Sequence, residues 1–242
     1  MEGKKIRKGI LHLIPTPIGN NSIFQVIPIS VKKEVSSLNN FIVESERSAR
    51  RFIKKIIPNK NQDELNIFLL NKFTTKSEMG SYLDPCLNGL SMGLLSDAGC
   101  PGIADPGALI VSKAHESGII VKPHVGPSSI ILALMSSGMN GQNFSFNGYL
   151  PIEKKQRLKD LKKFEQIAIN KNQTQIFIET PYRNDSFFFD TLKALKNNTR
   201  FCVACDLNLD SEYIRTQTIL EWMKVKANFN KRLCIFIIEG GG

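Results

Sequence analysis

The chain has 242 residues, of which 42% are hydrophobic and 22% are charged, as in one large or two small globular domains with a real core. No stretch approaches the roughly 18 to 20 apolar residues of a membrane span, so we expect no membrane association. The net charge of +10 is spread evenly, with 16 basic and 11 acidic residues both in residues 1–150 and in residues 151–242. A polyanionic partner such as RNA is therefore permitted but not identified.

The charged N-terminus and the apolar run that stops at Pro15 predict no signal peptide. Five scattered cysteines predict reduced thiols in a cytoplasmic protein.

The first half of the chain alternates short apolar runs with segments of helical spacing, which predicts an α/β domain with a largely parallel sheet. We predict strands over residues 9–14, 41–43, 65–70, 92–95 and 119–125, and helices over residues 48–57, 77–88, 108–117 and 130–137. The helix over residues 48–57 carries Arg50, Arg51, Lys54 and Lys55. These side chains favour a solvated helix face, with contact to RNA as the alternative.

The pattern of the second half of the chain predicts a smaller α+β domain with more antiparallel character. The two predicted domains span residues 1–140 and 141–242. Strands are predicted over residues 175–179, 201–205 and 233–238, and helices over residues 153–164 and 187–195 and within residues 218–229. Trp222 is expected to anchor the core of this domain.

Three predicted strands of the first domain end in loops rich in glycine and proline, at residues 15–20, 97–107 and 126–129. Glycine lets backbone amides approach a ligand because no Cβ stands in the way. Loops that follow parallel strands lie at the same edge of a sheet, where small molecules bind. A plain structural turn remains the alternative for each loop. In the loop that carries Asp97 and Asp105, a binding site and a structural turn are equally compatible with the sequence.

Other kinds of chemistry find little support in the sequence. The three histidines, His12, His115 and His124, share no metal-ligand spacing, so we predict no metal site. Cys202 and Cys205 lie in a predicted strand, where their sulfurs would face opposite sides, and they are interpreted as packing residues. Neither a phosphate loop nor a GxGxxG segment is present. A crevice that binds and orients a reactive cofactor is therefore favoured over covalent catalysis.

From about Ile10 to Glu239, the chain resembles the tetrapyrrole methylase superfamily, and within it the bacterial 16S rRNA ribose 2′-O-methyltransferase branch. Five ordered segments carry the resemblance: Pro15-Thr16-Pro17-Ile18-Gly19-Asn20, Ser96-Asp97-Ala98-Gly99 with Pro101 and Asp105-Pro106-Gly107, Gly126-Pro127-Ser128-Ser129, Gly148-Tyr149-Leu150-Pro151 and Glu179-Thr180-Pro181-Tyr182-Arg183. The resemblance implies two α/β domains, S-adenosylmethionine held in the cleft between them, and a homodimer.

The resemblance also implies a set of site residues. The substrate side of the cleft would be lined by Pro15, Thr16, Pro17, Gly19 and Asn20. The cofactor would contact Ser96, Asp97, Ala98, Gly99, Ile103, Asp105, Ser128 and Ser129 from the first domain, and Glu179, Thr180, Pro181, Val203 and Ala204 from the second. The catalytic candidates beside the substrate would be Glu44, Glu46 and Arg47.

Three functions follow from these observations as expectations. The first is S-adenosylmethionine-dependent methylation of an RNA ribose 2′-hydroxyl in the small ribosomal subunit. Glu44 and Arg47 match a run of the rRNA branch, whereas the residues between them differ, as does Cys205-Asp206-Leu207-Asn208-Leu209. Because these differences fall where substrate would be handled, two alternatives stay open: methylation of a porphyrinoid-like small molecule, and a non-catalytic module that binds RNA or the ribosome.

Overall fold

Residues 7–20, 22–71, 73–75 and 77–240 are described by the structure, a computed structural model; most of the charged N-terminus lies outside these ranges. The chain divides into two units, residues 1–128 and residues 129–242. Helix α6 (Ser129–Ser137) belongs to the second unit because it contacts that unit's sheet, although the predicted boundary at residue 140 puts it in the first. Among the described residues, no helix has the length and apolar character needed to cross a bilayer.

The first unit is built on a five-stranded sheet in which every pairing is parallel, as predicted. Its strands are β1 (Ile10–Ile14), β2 (Asn40–Val43), β3 (Asn66–Leu69), β4 (Met92–Leu95) and β5 (Ile120–Pro123). They lie in the order β3-β2-β4-β1-β5. All four residues of β2 and of β4 are buried, as expected for parallel strands covered on both faces.

Helices cover both faces of this sheet, and α3 shows how the sequence selects them. They are α1 (Ile23–Val26), α2 (Ile29–Ser37), α3 (Glu46–Ile56), α4 (Asp84–Leu87) and α5 (Gly107–Glu116). On α3, Ala49, Phe52, Ile53 and Ile56 are buried, and this i, i+3, i+4, i+7 spacing leaves the basic residues on the opposite face. The Ser45 side chain caps the helix by accepting a hydrogen bond from the amide of Ser48.

The predicted single helix over residues 77–88 is wrong. The structure has instead a 3₁₀ turn over Glu78–Gly80, followed by the short helix α4. Gly80 ends the first turn, since glycine weakens a helix interior. Pro85 lies in the first turn of α4, a position that proline tolerates because its missing N–H is not needed there.

The second unit has a mixed five-stranded sheet, as predicted. Its strands are β6 (Phe144–Phe146), β7 (Thr174–Ile178), β8 (Arg200–Cys205), β9 (Tyr213–Thr218) and β10 (Cys234–Glu239), in the order β6-β7-β10-β8-β9. Only the β6–β7 pairing is parallel. Its helices besides α6 are α7 (Lys154–Lys171), α8 (Asn184–Ala194) and α9 (Ile219–Trp222). The edge strands β6 and β9 escaped prediction because one is three residues long and the other carries polar residues on both faces.

The core of the second unit forms around Trp222, as expected from the sequence. Its indole is fully buried, packs edge-on against Phe188, and donates a hydrogen bond to the carbonyl of Phe201 (2.8 Å). A buried ion pair joins Arg157 of α7 to Asp190 of α8. Arg157 also donates to two backbone carbonyls, so this charge is fully hydrogen-bonded despite its burial.

Candidate functional site

The register of the parallel sheet places three predicted site segments side by side. Ile14 of β1 and Val43 of β2 both pair with Leu95 of β4, so that the residues following these strands emerge at one level of the carboxyl edge. β1 and β4 are neighbours in the sheet, but the connection from β1 runs towards the β3 edge, to β2, whereas the connection from β4 runs towards the β5 edge, to β5. The gap between β1 and β4 is therefore a topological switch point, where open α/β sheets bind ligands.

The loop after β1 is fastened to the loop after β4 by its backbone. Thr16 and Gly99 exchange two hydrogen bonds, from the Thr16 amide to the Gly99 carbonyl (3.0 Å) and from the Gly99 amide to the Thr16 carbonyl (3.1 Å). The Thr16 hydroxyl donates to the Ser96 carbonyl (3.1 Å). Gly99 has a φ of +78°, a conformation that favours glycine.

Glu44, which follows β2, fastens the start of the same loop. Its Oε1 atom accepts hydrogen bonds from the Ser96 hydroxyl (3.0 Å) and from the Asp97 amide (2.9 Å). The carboxylate proposed as a catalytic group is thus engaged in holding the 97–107 loop. This contact supports a positioning role for Glu44, which is separate from proton transfer.

The third predicted loop, residues 126–129, joins the first two. Gly126 packs so closely on Pro15 that an added Cβ would lie 2.3 Å from the Pro15 Cβ. The Cys100 thiol lies 3.4 Å from the Pro127 carbonyl and donates to it. Burial raises the pKa of the Cys100 thiol, so the thiol keeps its proton for this contact. The three loops predicted to converge do meet at one edge of the sheet.

The far part of the 97–107 loop is organised by Asp105. Its Oδ1 atom accepts hydrogen bonds from the amides of Gly102 (2.7 Å) and Gly107 (2.8 Å), the latter being the first residue of α5. The two residues before it are unusual: Ala104 has a φ of 62°, and Ile103 is 52% exposed. A non-glycine residue in this conformation is strained, which favours a functional role over a connecting one.

A pocket of roughly 140 Å³ opens beside these loops, within the first unit. One wall is made by Thr16, Pro17, Gly19 and Asn20 of the predicted substrate-side loop, and another by Ser48, Arg51 and Lys55 of α3. Arg51 and Lys55 are both exposed and lie one turn apart on the same helix face. Ser96 and Asp97 of the loop after β4 also line the pocket. The pocket therefore presents two cations on the α3 wall, which an anionic ligand could contact, and one carboxylate on the loop.

The other two catalytic candidates lie at the N-terminal end of α3. Glu46 accepts a hydrogen bond from the Arg50 Nε atom (2.7 Å), and Arg47 is exposed. Neither residue lines the pocket. The structure therefore brings Glu44 into the loop assembly and leaves Glu46 and Arg47 at its periphery.

In the second unit, Glu179 directly follows β7 and is buried. Its Oε1 atom accepts hydrogen bonds from the Thr180 amide (2.6 Å) and the Arg183 Nε atom (2.9 Å), while Oε2 has no hydrogen-bond partner among the described residues. Thr180 is exposed, and the Pro181 carbonyl accepts from the Lys231 amide (2.9 Å). This turn is thus held by internal contacts.

Four further residues were expected to contact the cofactor: Val203, Ala204, Ser128 and Ser129. Val203 and Ala204 are fully buried in β8, which is paired with β10 on one side and β9 on the other, so we leave both residues out of the proposed site. Ser128 is half-buried, and Ser129 is the first residue of α6.

Two features of the first unit escaped the sequence analysis. The sequence predicts a basic helix face that includes Arg51 and Lys55, but not its place on the wall of the pocket. His12 and His124 lie within hydrogen-bond distance of each other, although they are 112 positions apart. Sequence spacing carries no signal for residues on two strands that pair only in the folded sheet.

Comparison with known proteins identifies the relatives of the chain. A scan against models of protein families found no match. The chain is 30% identical to ribosomal RNA small subunit methyltransferase I of Vibrio cholerae serotype O1 over 234 residues, which cover 96% of this chain and 77% of that protein. It is 31% identical to the protein of the same name from Halalkalibacterium halodurans over 240 residues, covering 97% and 77% of the two chains.

Solved structures agree on the fold. The chain is similar to the methyltransferase CobJ with a TM-score of 0.64 at 11% identity, over 96% of this chain and 94% of that one. It is similar to a conserved hypothetical protein from Aeropyrum pernix K1 with a TM-score of 0.66 at 10% identity, over 96% and 85%. The predicted fold class and the predicted resemblance are confirmed. The chain belongs to the ribosomal RNA small subunit methyltransferase I family.

Proposed function

We propose that the chain transfers a methyl group from S-adenosylmethionine to RNA of the small ribosomal subunit, at a ribose 2′-hydroxyl. The observation that carries this proposal is the set of three loops, after β1, β4 and β5, that are fastened together at the switch point of a parallel sheet. This is where α/β proteins hold small ligands. Family membership supplies the class of reaction.

The first unit fits the proposed methyl donor in three respects. The loop exposes an apolar side chain at Ile103, beside the strained Ala104, as a surface for an adenosine or a methionine side chain would require. Ala98 of the same loop is exposed and has only a methyl side chain, which leaves the loop backbone accessible to a ligand there. Asp97 is exposed and carries a carboxylate, which suits a cationic donor. The first-unit residues proposed to hold the donor are Ser96, Asp97, Ala98, Gly99, Ile103, Asp105 and Ser128.

The residues of this chain act mainly by alignment. When bound, S-adenosylmethionine would supply an electrophilic methyl group for transfer to a hydroxyl oxygen. Glu44 fixes the Ser96–Asp97 backbone, and Asp105 fixes the turn that leads into α5. Holding two reactants in line can supply much of the rate enhancement of a displacement.

Calorimetry with S-adenosylmethionine and S-adenosylhomocysteine tests the cofactor part of the proposal. We expect saturable binding of both compounds to the full chain at one site per chain. Transfer of tritium from labelled donor to small-subunit RNA from a strain lacking the protein tests the reaction. Absence of binding at millimolar ligand would contradict the proposal, and transfer to a porphyrinoid instead of RNA would favour the small-molecule alternative.

Arg51 and Lys55 support RNA as the substrate, because they place two cations on one wall of the pocket. We expect Lys55→Gln to weaken binding to small-subunit RNA several-fold, and to reduce the slope of log affinity against log salt by about one, since one phosphate contact is lost. Filter binding over a range of salt concentrations measures both. Lys33→Gln removes an equal charge from the exposed surface of α2 and should change neither. Equal effects of the two substitutions would show that only net charge matters.

The homodimer, the assembled small subunit as partner and the cytoplasmic location are part of this proposal, and they rest on the family resemblance.

A further inference from the structure

A cluster of potential metal ligands lies on the sheet face that α2 covers. His12 of β1 pairs in register with Lys122 of β5, and His124 follows two residues later. Because side chains alternate along a strand, His12, Lys122 and His124 project from the same face. Glu34 of α2 lies across from them. Three separate elements of the first unit therefore contribute to one cluster.

The potential ligand atoms of the cluster lie close enough together to hold one metal ion. His12 Nδ1 lies 2.9 Å from His124 Nε2 and 3.6 Å from Glu34 Oε2, and the three potential ligand atoms all lie within 4.8 Å of one another. Two atoms bound tetrahedrally to zinc at 2.0–2.1 Å are about 3.3 Å apart. The two separations from His12 bracket that value. The ligand atoms of His124 and Glu34, which lie within 4.8 Å of each other, would move closer on binding.

The surroundings of the cluster favour a bound cation in some respects and oppose it in one. His12 is almost fully buried, while His124 and Glu34 are half-buried, which leaves a path from the surface. Burial lowers the pKa of both imidazoles. The opposing group is Lys122, whose ammonium donates to Glu34 Oε1 (2.7 Å). That contact occupies one carboxylate oxygen and leaves Oε2 facing His12.

We propose that His12, His124 and Glu34 form a binding site for a divalent transition metal of the zinc type. Two imidazoles and one carboxylate are a ligand set that zinc accepts, with the fourth position left for water. The histidine ring nitrogens that now lie against each other would both turn their lone pairs to the ion. The site is separate from the residues proposed for methyl transfer, and its test does not depend on activity.

Titration of the full chain with zinc ions alone, at pH 7.5, tests the site. We expect saturable binding of one ion per chain, weakened at least tenfold in His124→Ala. His115→Ala removes an exposed histidine of α5 and should leave the affinity unchanged. The experiment is made in a Cys100→Ser background, because Cys100 is the partly exposed thiol among the described cysteines. Lys122→Met should tighten binding several-fold by removing the opposing charge.

Cobalt absorption distinguishes the proposed ligands from thiolates. Cobalt bound to the cluster should give tetrahedral d–d bands without thiolate charge-transfer bands, and zinc should raise the melting temperature of the parent chain but not of His124→Ala. Circular dichroism of His124→Ala checks that the variant is folded. Absence of saturable binding, equal affinity in His124→Ala, or thiolate bands would each overturn the proposal.

Discussion

Replacing Glu44 with alanine should lower kcat/KM for methyl transfer by about 100-fold. The substitution removes two hydrogen bonds to a carboxylate, from the Ser96 hydroxyl and the Asp97 amide. Bonds of this kind are worth about 1.5–3 kcal/mol each, and 1.36 kcal/mol corresponds to tenfold in rate. At the low end of that range, the two bonds together amount to about 3 kcal/mol. If the loop loses this much of its alignment for methyl transfer, the rate falls by about 100-fold. Steady-state kinetics with small-subunit RNA measures it.

Glu44→Gln separates positioning from proton transfer. The amide oxygen of glutamine can still accept both hydrogen bonds, so a positioning residue should retain activity within about tenfold, with an unchanged pH–rate profile. A general base would lose its function in Glu44→Gln as fully as in Glu44→Ala, and the pH–rate profile would lose its acid limb. That second pattern would return Glu44 to the catalytic role first expected of it. Circular dichroism of both variants excludes unfolding as the cause.

The sequence predicted the loops of the site better than it predicted their partners. Glycine and proline mark the turns locally, and the parallel sheet then dictates that residues 15–20, 97–107 and 126–129 lie at one edge. The Glu44 contact could not be predicted, because it depends on the register between β2 and β4. For the same reason, the basic face of α3 could be recognised in the sequence, whereas its place on the wall of the pocket could not.

The sequence failed to predict secondary-structure elements and clusters at positions where the local pattern disagrees with the tertiary contacts. The segment 77–88 has helical spacing, yet Gly80 and Pro85 divide it. β9 has no apolar alternation, and its pairing with β8 makes it a strand. The cluster of His12 and His124 follows the same rule, since two chain-distant strands must pair before it exists. In each case the missing information is a long-range contact.

Gly126→Ala should destabilise the first unit by about 1–3 kcal/mol, the usual cost of overpacking, and reduce cofactor affinity by tenfold or more. A Cβ at this position would lie 2.3 Å from Cβ and 2.5 Å from Cγ of Pro15. A pyrrolidine ring has no alternative rotamer that clears this space, so the backbones of the two loops must separate. Separation at Pro15 also pulls on Thr16, whose backbone is bonded to Gly99. Denaturant unfolding and calorimetry with S-adenosylhomocysteine measure the two effects.

Gly80→Ala is the matched control, because an added Cβ there meets nothing within 4 Å. It should leave cofactor affinity unchanged and leave stability equal or slightly higher, since alanine restricts the unfolded chain. If Gly126→Ala lowered stability but not affinity, the contact between Pro15 and Gly126 would be structural only. The cofactor would then be held independently of the loop after β1. Loss of both in Gly126→Ala, against neither in Gly80→Ala, would tie cofactor binding to the packing of the two loops.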